Sequence, residues 1–207
     1  MQTAQDKARE DIAFLRAIVD EHSPVYKQTG IIYGASGSLF GLQALLGWLQ
    51  VRNVIKLSDM ANIAIAILPT VLFLIVLALV LSRDKENQNP KGTASKTVIA
   101  MFGAAGLANL VLALVFAYAA YKRADFTIWL FFPVIVCALQ GMVWYVVAMI
   151  RKYWWMWVTS AGWYGTALVA GLFTQSLENY LLALSIGLFL FMAVPGLIMA
   201  RIKEEKA

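Results

Sequence analysis

The side chains able to do chemistry in this chain of 207 residues are few, and their positions matter as much as their types. A single cysteine, Cys137, and a single histidine, His22, exclude an intrachain disulfide, a cysteine cluster for a metal and a two-histidine metal or haem site. Cys137 has apolar neighbours on both sides, the setting of an inert buried thiol, since thiolate reactivity needs exposure and nearby positive charge. His22 falls at the end of a polar helical stretch, where a histidine suits the helix dipole. The acids within reach of a membrane surface are Asp59, Asp125 and Glu178 on one side and Asp84 and Glu86 on the other. Glu178 opens an apolar run and is placed there by the dipole of its first turn. No Asp, Glu, Lys, Arg or His lies in the central part of any apolar run. This removes the groups that relay protons, pass ions or act as acid, base and nucleophile inside a bilayer. No phosphate-cradling, zinc-protease or nucleophile-elbow motif is present.

What remains is a set of amides and a set of aromatic residues. Gln43, Asn109 and Gln140 read in two ways. They form a polar patch for a neutral solute or pore lining, or they join helices by hydrogen bonds worth about 0.6 kcal/mol each. The aromatic run holds Trp154, Trp155 and Trp157, followed by Trp163 and Tyr164. It reads as a cage for a cation, as a contact for a lipid tail, pigment or quinone, or as the interfacial belt beside Arg151 and Lys152. Trp163 and Tyr164 lie about two turns deeper and fit a belt less well.

The elements that position these residues are apolar helices. The stretch Asn62–Ser82, NIAIAILPTVLFLIVLALVLS, has no charge. At about 1.5 Å per residue it crosses a hydrocarbon core of about 30 Å. The chain is 61% hydrophobic and 14% charged, against roughly a quarter charged in soluble domains. Six such runs, at about 30–50, 62–82, 97–121, 126–150, 154–174 and 177–200, predict an all-α integral membrane protein with a six-span bundle over 29–200. Residues 1–28 carry Ile12, Leu15, Ile18 and Val19 at helical spacing with charges opposite. They predict a short amphipathic helix on the cytoplasmic surface, serving as an anchor or as a partner's dock. They contain no apolar signal region, so the first span is expected to act as the insertion signal. The polar loop 83–96 and the tail 201–207 complete the chain.

Lys and Arg set the orientation. With a cytoplasmic N-terminus the inner segments hold 13 of the 17 basic residues, and the outer loops hold Arg52, Lys56, Lys122 and Arg123. The excess predicts that both termini are cytoplasmic. The net charge of +5 is dispersed between apolar runs, so it is read as topology and headgroup contact rather than nucleic-acid binding.

Small residues mark the odd-numbered spans. Gly34, Gly37 and Gly41 lie in the first, Gly103 and Gly106 in the third, Gly162 and Gly165 in the fifth. Small residues let helices approach closely in lipid. Each even-numbered span carries one proline, Pro69, Pro133 or Pro195. The pattern suggests one helix hairpin used three times, with the odd helices meeting at their glycines. It resembles the many small multispanning proteins of bacterial inner membranes, a likeness of span count and charge bias alone.

The leading expectation is a non-catalytic inner-membrane protein, with no cofactor or metal, that works through contacts with lipid and with a membrane-protein partner or a second copy. The alternatives are a transporter or channel for a neutral or hydrophobic solute, which needs the three amides in one cavity, and a membrane enzyme acting on lipids, which needs the acids to converge.

Overall fold

The computed structural model describes residues 25–83 and 93–201. The expected amphipathic helix, most of the polar loop and most of the tail lie outside these residues. The described chain is entirely helical: α1 (Val25–Val51), α2 (Asp59–Arg83), α3 (Thr93–Arg123), α4 (Thr127–Arg151), α5 (Trp154–Leu172) and α6 (Leu177–Leu188), then a π-helical turn Phe189–Ala193 that runs on into α7 (Val194–Arg201). Five helices are long and apolar enough to cross a membrane, the last being the continuous rod Leu177–Arg201. Helix α5 has 19 residues and falls short in hydropathy because four of them are tryptophan.

Two boundaries differ from expectation. Helix α1 starts at Val25, directly after Pro24, and α3 starts at Thr93. Proline disfavours helix only in the residue before it. The Thr93-Ala-Ser-Lys segment, expected to belong to the polar loop, is the first turn of α3.

Short turns join α1 to α2, α3 to α4, α4 to α5 and α5 to α6. Asn53, Ala124 and Lys152 take positive φ (57°, 51° and 60°) to end α1, α3 and α4. The Val54 N–H returns to the Leu49 carbonyl and the Asp125 N–H to the Ala120 carbonyl, the six-to-one closure of a helix C-terminus. The Thr127 hydroxyl and N–H both donate to Asp125 Oδ1, and these bonds, the hydroxyl's first, hold that exposed carboxyl below its ordinary value.

The centre of the bundle is α1, α4, α5 and the α6–α7 rod. Helix α2 packs mainly on α1, and α3 mainly on α4. The seam between α1 and the rod is made of backbone. A Cβ on Gly30 would fall 2.5 Å from the Ala200 nitrogen, one on Gly37 2.3 Å from the Ala193 nitrogen, and one on Gly196 2.2 Å from the Gly34 nitrogen. Leu181, Ser185, Phe189, Ala193, Gly196 and Ala200 all meet α1. The rod thus makes five returns to one face in nineteen residues, where five α-turns need about eighteen. The π-helical turn, in which the Val194 N–H reaches the Phe189 carbonyl, absorbs the extra residue.

The glycines of the odd-numbered spans do not meet one another. Gly34 and Gly37 lie on α7 and the π-helical turn, Gly41 on the Phe189 ring and Gly162 on Phe191, all parts of the sixth run. Gly103, Gly106 and Gly165 have open space where a Cβ would go. Close approach is used where two helices cross, and the like spacing on α3 meets no partner helix.

Candidate functional site

The polar centre of the bundle is a node around Tyr33. Trp144 Nε1 donates to Tyr33 Oη at 2.6 Å, Trp163 Nε1 donates to it at 2.9 Å, and Tyr33 Oη donates to Gln140 Oε1 at 3.3 Å. A phenol has one proton to give and two lone pairs to offer, so this hydroxyl is saturated. Tyr33 stands eight residues into α1, Trp144 seven residues before the end of α4, and Trp163 nine residues into α5. All three therefore lie about 10–14 Å from the same end of the bundle. Burial is nearly complete, with Trp144 at 0% and Trp163 at 1% exposure.

Rings close the node on its other sides. Phe102 of α3 sits edge-on to Tyr33 and Trp144, at 5.7 and 5.8 Å between centroids, and Trp155 lies 5.6 Å from Trp144. Each geometry favours the aromatic quadrupoles. Ser160 Oγ donates to the Gly141 carbonyl, tying α5 to α4, and Ser185 Oγ donates to the Gly41 carbonyl, tying the rod to α1. The Tyr33 hydroxyl, both indole N–H groups and the Gln140 carbonyl oxygen are used in joining helices. The chemistry of the node is that of a lock: it fixes three helices at one depth.

The expected site residues are distributed among several environments. Gln140 belongs to the node. Gln43 faces α2, where its Nε2 donates to the Ala66 carbonyl at 3.3 Å. The carbonyl that Pro69 leaves without its helical N–H is that of Ile65, and the Gln43 bond to the neighbouring Ala66 carbonyl joins α1 to α2 at the proline's turn. The same helix pair bounds an open cleft of about 150 Å³ lined by Leu39, Leu42, Gln43, Leu68, Pro69 and Leu72 among others. Asn109 sits on the stripe of α3 that faces α4, with Oδ1 buried and without a hydrogen-bond partner. The three amides thus have three separate surroundings and share no cavity.

The aromatic set divides too. Trp154 is 75% exposed at the start of α5. Trp157 stands perpendicular to Tyr145, 5.2 Å between centroids, on the outer face. Trp155 and Trp163 turn inward to the node, and Tyr164 packs its ring on Gly141. The deeper position of Trp163 is explained by its bond to Tyr33.

The acids stay apart. Glu178 Oε1 pairs with Arg52 Nη1 at 2.7 Å across the α1–α2 turn and the start of α6, and Asp125 is held by Thr127. Among the described residues no three His, Cys, Asp or Glu side chains gather in a way that could hold a metal ion. Arg151, at the far end, is buried with Nη2 on Ser95 Oγ at 2.8 Å.

Sequence reasoning missed Tyr33, the hub. Its signal was present: a phenol within an apolar run must find partners, and indole N–H groups can only donate. No protein-family model matches this chain, and no curated protein or solved structure shows significant similarity to it.

Proposed function

We propose that this chain is a six-span, non-catalytic protein of a bacterial inner membrane, with both termini cytoplasmic, that works by in-plane contact with a membrane-protein partner or a second copy. One observation carries the reading. Only 6% of the apolar window of α2 and 11% of that of α3 is buried, against 39% for α1 and 33% each for α4 and the Leu177–Arg201 rod. Two whole helices are thus held along one side each and offer the rest of their surface to the plane of the membrane. Helix α5 counts as the sixth span, because its 19 uncharged residues reach about 28 Å and lie between α4 and α6. The separate settings of Gln43, Asn109 and Gln140 give the solute-transport reading no shared polar cavity to rest on.

Photo-crosslinking in cells tests this. A benzophenone side chain is placed at Ile75 of α2, at Leu114 of α3 and, for comparison, at Leu168 of α5; these residues are 48%, 65% and 64% exposed. The expected result is a discrete protein adduct from α2 or α3 and none from α5. Lipid adducts alone at all three positions, with monomer alone on native gels, would refute it.

A further inference from the structure

Basic residues stand at both ends of the bundle. Among the described residues, the end where α1 and α3 begin and α4 and α7 finish carries Lys27, Lys96, Arg151, Lys152 and Arg201. The opposite end mixes four basic residues with Asp59, Asp125 and Glu178.

Two of these basic groups flank the point where the end of α4 is fixed against α3. The bond from Arg151 to Ser95 fixes the last turn of α4 against the first turns of α3. Lys96 and Lys152 each follow one partner of that bond in the chain, and both are exposed. Lys152 ends α4 in the left-handed conformation, and the exposed Tyr153 and Trp154 lead from it into α5. Below Lys152, the outward stripe of α4 continues at helical spacing through Met149, Tyr145 and Met142, which are 56%, 48% and 47% exposed. Tyr145 is braced there by the perpendicular Trp157 ring. The stripe has the profile of a lipid molecule: cationic at headgroup depth, aromatic just beneath, then flexible and apolar for the length of a chain.

We propose that the α3–α4–α5 corner binds an anionic phospholipid, with its phosphate held by Lys152 and Lys96 and one acyl chain lying along Met149, Tyr145 and Met142. The assignment rests on the membrane reading above. Charge complementarity selects the ligand, since two exposed ammonium groups flank the Arg151–Ser95 bond that joins α4 to α3. The continuous apolar track below Lys152 selects a lipid over a free phosphate ester.

The test uses the full-length protein in nanodiscs of dioleoylphosphatidylcholine, titrated with dioleoylphosphatidylglycerol and read by native mass spectrometry. The K96Q/K152Q pair is compared with K122Q/R123Q at the other end. Both pairs change exposed residues, and melting curves check that each folds. K96Q/K152Q is expected to lose about thirtyfold in affinity, the scale of two ammonium groups at a membrane surface, and K122Q/R123Q to lose nothing. Millimolar glycerophosphoglycerol, the headgroup without tails, is expected not to compete. Equal loss in both pairs, no loss in K96Q/K152Q, or full competition by the bare headgroup overturns the site while leaving the membrane reading intact. A protein that stays in solution without entering nanodiscs overturns both.

Discussion

Tyr33→Phe isolates the contribution of one oxygen. The substitution keeps the ring, its volume and its edge contacts with Phe102 and Trp144. It leaves Trp144 Nε1, Trp163 Nε1 and Gln140 Oε1 without their partner, at residues that are 0%, 1% and 7% exposed. If the three groups find substitutes in the membrane-inserted unfolded state, each bond is worth about 0.6 kcal/mol and the loss is about 2 kcal/mol. If they stay orphaned in a packed core, each costs roughly 1–3 kcal/mol and the loss is about 3–9 kcal/mol. Tyr180→Phe is the internal standard, because it deletes a single bond, Tyr180 Oη to the Leu130 carbonyl at 2.7 Å. Equilibrium unfolding in mixed micelles, followed by tryptophan emission, measures both variants. Y33F is expected to lose at least twice what Y180F loses and to shift the native emission maximum, since two indoles lose their acceptor. A Y33F loss no greater than that of Y180F, or an unchanged native spectrum, would show that the node does not lock the bundle.

Glycine substitutions should divide by what a Cβ would meet. G37A and G196A place a methyl within 2.3 Å of backbone nitrogen and should cost 3 kcal/mol or more, on the order of the worst overpacking cases; G103A and G165A enter open space and should be neutral or gain up to about 1 kcal/mol of helix propensity. Comparable unfolding midpoints for the two groups would contradict the seam. Q43L should cost about 0.6 kcal/mol, the worth of its interhelical bond to the Ala66 carbonyl, and an unchanged unfolding midpoint would refute that bond.

The helical, membrane-compatible character of the chain was legible because it depends on runs of apolar residues, and Asn62–Ser82 alone sets the scale. Helix α5 was legible as a helix, because an uncharged run lies between two turn signals, though its tryptophans keep it out of the set apolar enough to cross a membrane. Pairing was not legible. Gly34-Ala-Ser-Gly37 and Gly103-Ala-Ala-Gly106 are alike in sequence, yet the first touches backbone and the second open space. Small residues permit a close approach and do not choose the helix that makes it. The amides misled for a related reason: Gln43 and Gln140 both join helices, but the partner of one is a carbonyl beside Pro69 and that of the other a phenol on α1. Neither partner is marked by type or spacing.

The π-helical turn shows how the two seams constrain each other. Along α1 the rod must return to Gly41, Gly37, Gly34 and Gly30, and along α5 it must seat Phe191 on Gly162 and Gly187 on Thr166. A strict α-helix through Leu181–Ala200 is about one residue out of step with the first set by its far end. The slack is taken at Phe189–Ala193, just before Pro195, where the missing N–H has already weakened the ladder. Phe191 within that turn presses on Gly162, the next residue, Trp163, holds Tyr33, and Tyr33 in turn precedes Gly34 of the α1 seam. The backbone seam and the aromatic lock are thus joined through adjacent residues on both α1 and α5. Perturbing either should be felt at the other, whereas α2 and α3, which contribute little to either seam, are left to face the membrane.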